Sequence, residues 1–443
     1  MGLKPQGKRT GRSAPAGLPA RGIALDLLSG VLRRHRPLDE SFESHSDIGD
    51  LDPRDRAFVR SLVWTTLRRL GEIDGIVAGC LDRPLPRKAG AVEDVLRLGV
   101  AQIRFLESSP HAAVDTAVEL VRSTGLGGFK GLVNAVLRRV AREEAAPCDP
   151  LEAGRLNTPD WLWARWVSTY GEATASAIAA AHLNEPPLDL TVPNDVGGWA
   201  ERLGGTLLPT GTVRLSDAGA IPALPGYDEG AWWVQDAAAA LPARLLGDVG
   251  GKRVVDLCAA PGGKTAQLAA AGAQVVAVER TPRRAERLRT NLARLRLEAE
   301  VVEADAADWR PDAPVEAVLL DAPCTATGTI RRHPDIAYLK KAADIETTAR
   351  VQARLLRAAR SMVAPGGLIV FVTCSLEAEE GERLVEKQLA EAPDLERVPV
   401  TAAEVGGLAE AIGPRGDLRT LPCHLADFGG MDGFFAARLR RLP

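Results

Sequence analysis

The chain has 443 residues, of which 46% are hydrophobic and 26% are charged, and its formal net charge at pH 7 is −3. This length predicts two or three domains, and the composition is typical of a globular protein rather than a disordered or fibrous one. No apolar run approaches the roughly 20 residues of a transmembrane helix, so no membrane span is expected. The six cysteines include no Cys-x-x-Cys pair, which argues against a zinc ribbon and fits a reducing, cytoplasmic location.

The amino-terminal part of the chain divides into a tail and a helical region. Residues 1–17 are rich in Lys, Arg, Gly, Ala and Pro without the apolar core of a signal peptide, so we predict a disordered basic tail. Residues 18–145 keep helical spacing of apolar side chains, for example at Val133, Val136 and Val140. This region is predicted to form an all-α domain.

The middle of the chain is punctuated by glycine and proline. Residues 146–231 contain two short strand candidates, Leu188–Val192 and Thr212–Leu215. We interpret this stretch as a small connecting subdomain.

The last part of the chain, residues 232–443, alternates strand candidates with helical patterns such as Arg283–Leu295 and Ala378–Ala390. The strand candidates are Arg253–Leu257, Gln274–Glu279, Ala299–Val302, Val315–Leu320, Gly367–Thr373 and a final, possibly antiparallel, Gly433–Leu439. Alternation of this kind predicts an α/β domain with a mostly parallel, doubly wound sheet.

The loop after the first of these strands, Cys258–Thr265, ends in Gly-Gly-Lys-Thr, as phosphate-binding loops do. A phosphate loop, however, needs a glycine where Cys258 stands, and Pro261 removes one of the backbone N–H donors that would hold phosphates. The dinucleotide fingerprint Gly-x-Gly-x-x-Gly is absent as well. Binding of a nucleoside triphosphate or a dinucleotide is therefore disfavoured.

Two acids follow the next two strands. Glu279 is placed to accept hydrogen bonds from a ribose diol, and Asp305 could meet an adenine amino group. Each acid alone could equally be a helix cap or a turn residue. Together with the glycine-bearing loop, they favour an adenosine cofactor without a pyrophosphate, which points to S-adenosylmethionine.

Two cysteines follow buried strand candidates. Cys324 ends the run Asp321-Ala322-Pro323-Cys324, and Cys374 lies within Thr373-Cys374-Ser375. Residues just past parallel strands line the crevice where open α/β sheets bind ligands. Two thiols and the Asp321 carboxylate at that edge suggest covalent chemistry on an electrophile. A metal site that also uses Cys258 is the rival interpretation, but the close ligand spacing of such sites is missing and no metal is expected.

These motifs resemble the Nol1/Nop2/Sun family of RNA cytosine-5 methyltransferases, and the likeness covers about the last 210 residues. The matching runs are Cys258–Thr265, Asp321–Ile336, Thr373–Ser375 and Asp432–Phe435. Two small departures are Thr325, where the family often has Ser, and Glu279, where Asp is common. Both residues keep the oxygen that the family position needs.

The resemblance implies a Rossmann-like domain that binds S-adenosylmethionine and methylates cytosine C5. It implies that Cys374 attacks C6, that Asp321 acts at N3 and that Cys324 assists release of the adduct. From the residues alone, Cys324 is the alternative nucleophile, because the attacking thiol of DNA cytosine-5 methyltransferases belongs to a Pro-Cys pair. Lys264 or a nearby arginine could stabilise the thiolate. The expected cofactor-binding residues are Cys258, Ala259, Ala260, Pro261, Gly262, Gly263, Lys264, Glu279, Arg284, Asp305 and Asp321.

The helical domain is similar to the RNA-binding domain of the NusB antitermination factor, a likeness supported by Asn134-Ala135-Val136-Leu137-Arg138. Family members with such a domain imply the small-subunit (16S) ribosomal RNA as substrate. A monomer is expected, although the sequence itself does not give the oligomeric state. Two alternatives stay open. The substrate could be transfer RNA, or the chain could be a non-catalytic RNA-binding assembly factor.

Overall fold

The computed structural model describes residues 17–106, 108–143, 148–216 and 218–443. The predicted basic tail, apart from Gly17, lies outside the described residues. The chain divides into two compact units, of which the first ends at Cys148 and the second begins at Asp149. The three-domain division expected from the sequence stays a prediction; residues 149–231 belong to the same compact unit as the α/β domain.

The first unit is helical throughout its described residues, which confirms the predicted all-α domain. Its helices are α1 (Leu18–Arg34), α2 (Leu38–Ser44), α3 (Pro53–Arg68), α4 (Leu70–Gly79), α5 (Gly90–Phe105), α6 (Pro110–Ser123) and α7 (Lys130–Arg142). Helix α5 packs against α1, α3, α4, α6 and α7 and so forms the centre of the unit. At this centre Asp94, which is fully buried, accepts hydrogen bonds from Ser29, Arg33 and Arg97.

The second unit opens with three helices and a small antiparallel sheet. The helices are α8 (Pro150–Leu156), α9 (Asp160–Tyr170) and α10 (Glu172–Ala181). The sheet contains β1 (Leu188–Thr191), β2 (Thr206–Leu207), β3 (Val213–Leu215) and β4 (Trp233–Val234) in the order β2-β3-β1-β4, with α11 (Val196–Leu203) between β1 and β2. The two strand candidates of this region are confirmed as β1 and β3.

An eight-stranded sheet forms the core of the second unit. Its strands are β5 (Arg253–Leu257), β6 (Gln274–Glu279), β7 (Glu300–Glu303), β8 (Val315–Asp321), β9 (Val363–Thr373), β10 (Leu395–Arg397), β11 (Leu418–Arg419) and β12 (Phe435–Arg441). The order is β10-β12-β9-β8-β5-β6-β7, and β11 pairs with β12. Strands β5 to β9 are parallel, whereas β12 runs antiparallel to β9, as predicted for the final strand.

Helices cover both faces of this sheet. They are α12 (Leu241–Arg244), α13 (Gly263–Ala270), α14 (Pro282–Leu295), α16 (Ala342–Met362) and α17 (Glu382–Glu391). The short helix α15 (Ile336–Leu339) packs instead in one apolar cluster with α9. Val255 and Leu257 of β5 pack in one apolar layer with Leu355 of α16, whereas Val254 packs in the opposite layer with Leu268 of α13. Because side chains alternate along the strand, β5 contributes to the apolar cores on both faces of the sheet. This is the Rossmann-like architecture that the sequence predicts.

The helix predicted over Ala378–Ala390 is interrupted. Residues Ala378–Glu380 form a 3-10 turn, and α17 begins only at Glu382. The cause lies at Gly381, where a Cβ would come within 2.9 Å of the Phe435 ring and 2.7 Å of Arg419. The break leaves Glu380 fully buried instead of on a solvated helix face. Among the helices of the described residues, none is long and apolar enough to cross a membrane.

Gly328 provides a test of the close backbone packing beneath the carboxyl edge of the sheet. A Cβ at this position would lie 1.9 Å from the carbonyl oxygen of Gly433. Because backbone cannot move aside as a flexible side chain can, Gly328→Ala is expected to lower the free energy of unfolding by about 1–3 kcal/mol. Urea unfolding measures this change. Gly197→Ala, in a helix of the same unit with open space around its Cβ, is the control, and equal midpoints for the two variants would contradict the expectation.

Candidate active site

The candidate site lies along the carboxyl ends of five parallel strands. Strand β8 pairs with β9 in a register that sets Asp321 opposite Val372, so the loops that carry Cys324 and Cys374 leave the sheet side by side. The two sulfur atoms lie 3.4 Å apart. The structure thus brings together the two thiols that the sequence places fifty residues apart.

The two thiols are not equivalent. The pKa of Cys324 is raised well above its ordinary value by its hydrogen bond with Cys374, by burial and by the neighbouring negative charges of Cys374 and Glu380. A second negative charge next to the first is unfavourable at this separation. Loss of the proton from Cys324 is therefore disfavoured.

Arg332 is the cation that interacts with Cys374. Its guanidinium donates a hydrogen bond to Asp432 at 2.6 Å. Burial lowers the pKa of Arg332, but the charges of Asp432, Asp236 and Cys374 raise it more, so it stays protonated. The neighbouring Arg331 is buried and bonds Asp236 at 3.0 Å, which anchors this loop in the protein interior.

Lys264, the other candidate for stabilising the thiolate, is engaged elsewhere. Its ammonium lies 2.7 Å from the Asp321 carboxylate and 5.1 Å from the centre of the Phe434 ring. Lys264 is buried, whereas the Asp321 side chain is 33% exposed, so the carboxylate remains accessible at the strand end. The pair fixes Asp321 at the end of β8, next to the loop of Cys324.

The loop after β5 has the tight geometry of a ligand-binding turn. Cys258 and Gly262 both have left-handed backbone angles, with φ of 62° and 104°. A Cβ at Gly262 would lie 2.4 Å from Leu288, so only glycine fits there. Ala259 and Ala260 are buried in this turn, and Gly263 and Lys264 begin α13.

The two acids predicted to meet the adenosine differ in their surroundings. Glu279 is 3% exposed; one oxygen accepts a hydrogen bond from the Thr281 amide, while the other lies 3.3 Å from Arg284 and accepts no hydrogen bond. An acceptor that is buried without a hydrogen bond fits a ligand hydroxyl. Asp305 accepts from the Ala307 amide and contacts Arg354 at 3.1 Å.

These residues lie in one row because their strands are neighbours. In the order β8-β5-β6-β7, the strand ends present Asp321, Cys258, Glu279 and Asp305 in turn. Arg284 of α14 reaches back to donate a hydrogen bond to the Ala260 carbonyl at 2.7 Å, which ties the second strand end to the first loop.

Cys258 is chemically distinct from the other two thiols at this edge. Burial, followed by the negative charges of Asp321, Glu279 and Asp256, raises the pKa of Cys258 to about 12. It therefore remains a neutral thiol at physiological pH. Within the described part of the chain, no group of three or more His, Cys, Asp or Glu side chains is arranged to hold a metal ion.

Sequence reasoning missed Glu380, which contacts the loops of both cysteines. Thr325 and Ser375, each directly after a cysteine, donate hydrogen bonds to its carboxylate. The available signal was a hydroxyl residue after each thiol, which needs an acceptor when it is buried. Arg332 was not singled out either, since the sequence indicated only that Lys264 or a nearby arginine could stabilise the thiolate.

Comparisons with known proteins agree with this fold. A model of the 16S rRNA methyltransferase RsmB/F family matches residues 243–440, and a model of the NusB family matches residues 18–142. The chain is 36% identical to the ribosomal RNA small subunit methyltransferase B of Xanthomonas campestris, over 88% of this chain and 92% of the relative. It is 32% identical to the probable ribosomal RNA small subunit methyltransferase B of Synechocystis, over 96% and 100% respectively.

Solved structures show the same architecture. The protein PH0851 aligns with 97% of this chain and 100% of its own, with a TM-score of 0.74 and 22% identity. A methyltransferase homolog from Pyrococcus horikoshii aligns with 63% of this chain and 94% of its own, with a TM-score of 0.53 and 28% identity.

A Rossmann-like domain with this cofactor loop, preceded by a NusB-type helical domain, defines a class of RNA methyltransferases. With the matches above, this chain belongs to the 16S rRNA methyltransferase RsmB/F family. It is an S-adenosylmethionine-dependent rRNA methyltransferase, as the resemblance in its sequence implied.

Proposed function

We propose that this enzyme methylates C5 of a cytosine in 16S rRNA through a covalent bond between the Cys374 sulfur and C6 of the base. The observation that carries the proposal is the contact of two unequal thiols, 3.4 Å apart, beside the Lys264–Asp321 ion pair. A nucleophile, a second thiol and a group for the base's ring nitrogen are what this reaction needs.

S-adenosylmethionine, when bound, supplies an electrophilic methyl group. The site fits this molecule, since the Glu279 oxygen that accepts no hydrogen bond can accept from a ribose hydroxyl and the turn at Gly262 lets a ligand approach the backbone. The residues that would hold it are Cys258, Ala259, Ala260, Pro261, Gly262, Gly263, Lys264, Glu279, Arg284, Asp305 and Asp321.

Cys374 is the proposed nucleophile. C5 of cytosine is too electron-poor to react with a methyl donor unaided, and addition of a thiolate at C6 makes C5 enamine-like. The thiolate needs an electropositive surrounding, which Arg332 provides while Lys264 is engaged with Asp321. Cys324 fits this role less well, because its pKa is raised by Cys374, burial and Glu380.

Asp321 and Lys264 act on the ring nitrogen. N3 must gain a proton or a strong hydrogen bond as the adduct forms, since negative charge develops there. Asp321 lies at the strand end next to the cysteine loops, and its carboxyl group is in direct contact with the Lys264 ammonium, a proton source. Together they stabilise the adduct without a metal.

Cys324 assists release of the product. After methylation a solvent water molecule takes the C5 proton, and the electrons of the C5–H bond form the C5–C6 double bond again as the Cys374 thiolate departs from C6. N3 returns the proton that it had gained to the Asp321–Lys264 pair. A thiol that donates a hydrogen bond to the Cys374 sulfur stabilises the departing negative charge. Cys324 is placed to do so at 3.4 Å and keeps the proton that this requires.

The two cysteines are expected to give opposite phenotypes. Cys374→Ala should form no covalent RNA adduct and lower methyl transfer by at least about a thousandfold, because the nucleophile is gone. Cys324→Ala should accumulate the adduct, because release is slowed. Denaturing gels with 16S rRNA detect the adduct, and mass spectrometry of nucleosides detects 5-methylcytosine.

Cys423→Ala is the matched control, since this thiol lies in another apolar cluster of the same unit. Exchanged phenotypes of the two cysteine variants would overturn the assignment of roles. Transfer RNA is assayed in parallel, and methylation of transfer RNA alone would contradict the proposed substrate. Absence of 5-methylcytosine in both RNAs would refute the proposed reaction.

The role of Arg332 is tested through pH. Arg332→Gln removes the positive charge that stabilises the thiolate, so the pH at half-maximal adduct formation should rise by about one unit. Arg332→Lys keeps the positive charge, so its pH at half-maximal adduct formation should stay close to that of the unaltered enzyme. Arg383→Gln, an exposed position paired with Glu379, is the control. If Arg332→Gln and the unaltered enzyme have the same pH profile, a group other than Arg332 stabilises the thiolate.

A further inference from the structure

Glu380 is a buried carboxylate with an unusually complete set of hydrogen bonds. It is 0% exposed, and its oxygens accept from five donor groups. Burial of a charged group is unfavourable unless hydrogen bonds or an opposite charge compensate for the lost water, so a buried carboxylate next to the site suggests a functional role. The reaction proposed above does not use it directly.

The donors come from three separate segments. The loop of Cys324 contributes the amide of Thr325 at 3.0 Å and its hydroxyl, and the loop of Cys374 contributes the hydroxyl of Ser375 at 2.6 Å. Helix α16 contributes Thr348 at 2.5 Å and Gln352 at 3.1 Å. One carboxylate thus joins both cysteine loops to the long helix beneath them.

All five donor groups are neutral. Glu377 is a charged side chain that interacts with Glu380, and Arg419 lies against Gly381, the next residue. Both are paired with other groups, since Glu377 bonds Arg165 and Arg419 bonds Glu382. Over the described ranges Glu380 forms no ion pair, so its negative charge is solvated by hydrogen bonds but is not cancelled by a cation.

We propose that Glu380 is a positioning residue that sets the unequal roles of the two cysteines. Its hydrogen bonds hold the sulfur atoms in contact, and its uncancelled charge opposes a second negative charge at Cys324. The inference rests on the proposed roles of Cys374 and Cys324 and deepens them.

Two observations support the electrostatic part. Glu380 is among the groups that raise the pKa of Cys324, after the hydrogen bond to Cys374, burial and the Cys374 charge. Cys374, in contrast, has Arg332 as an interacting cation. Glu380 also accepts a hydrogen bond at 3.0 Å from the amide of Thr325, the residue directly after Cys324, so its charge lies close to that thiol and opposes a thiolate there.

Glutamine would reproduce this cluster only in part. Both oxygens of Glu380 accept hydrogen bonds, one from Ser375 and the other from Gln352. The Thr325 and Ser375 hydroxyls can accept from the NH₂ group of a glutamine, whereas the Thr325 backbone amide can only donate. Glu380→Gln therefore removes the charge and weakens some of the hydrogen bonds.

The test measures the pH dependence of alkylation by iodoacetamide at each cysteine. The full-length chain is labelled at low conversion without RNA or cofactor, and peptides are quantified by mass spectrometry. In the unaltered enzyme, Cys374 should label with a lower pH midpoint than Cys324. In Glu380→Gln the pH midpoint for alkylation of Cys324 should fall by about one unit, so that the difference between the midpoints of the two cysteines becomes smaller.

Glu379→Gln is the matched control. It removes the same charge one residue away, where the carboxylate bonds Arg165 and Arg383 instead of the cysteine loops. Its labelling midpoints should equal those of the unaltered enzyme. A Glu380→Gln variant that keeps a cooperative thermal transition and an unchanged Cys324 midpoint would overturn the proposal.

If Glu380→Gln does not fold, the Ser375→Ala variant tests the positioning role of Glu380. It retains the charge and removes the hydrogen bond from the Cys374 loop to the carboxylate, so adduct formation should slow by about tenfold. KM for RNA should stay within twofold. Unchanged adduct formation in Ser375→Ala would overturn the positioning role.

The labelling experiment needs neither RNA nor methyl transfer. A failure of the proposed cytosine chemistry would appear as missing 5-methylcytosine while the thiol midpoints still differ. A failure of the Glu380 inference would appear as an unmoved Cys324 midpoint in an enzyme that methylates normally.

Discussion

The site depends on the parallel pairing of β8 with β9. The register that sets Asp321 opposite Val372 brings the two strand ends to one height, and each cysteine follows its strand end by one to three residues. A shift by one residue would turn the side chains of a strand to the other face and separate the thiols. The flanking strands β5 and β12 fix this register, since they pair with β8 and β9 over most of their length.

Three cysteines at one sheet edge acquire different chemistry from their surroundings. Cys258 is a neutral thiol because burial and three carboxylates raise its pKa. The pKa of Cys324 is raised by its contact with Cys374, by burial and by Glu380, whereas Arg332 is a cation that interacts with Cys374. The division of labour that we propose therefore arises from burial and neighbouring charge, which act on three identical side chains.

The sequence predicted most of the sheet and the family, but only part of the site. Strands β5 to β9 were recognisable because apolar runs alternate with helical patterns, and the strand-end placement of Cys324 and Cys374 followed from them. Glu380 was missed because residues 378–390 have helical spacing, and only the packing at Gly381 interrupts the helix and turns this side chain inward. The cation near Cys374 could not be chosen from the sequence, because both Lys264 and several arginines belong to segments that reach this edge of the sheet. The tertiary structure favours an arginine, because it pairs Lys264 with Asp321.

The most direct test of the account maps the covalent bond itself. 16S rRNA that carries 5-fluorocytosine is incubated with the unaltered enzyme and S-adenosylmethionine, because the C5 fluorine cannot leave as a proton does and the adduct persists. Protease digestion and mass spectrometry then locate the modified nucleotide. The account predicts that it is attached to the peptide that contains Cys374. Attachment to the peptide that contains Cys324 would contradict it.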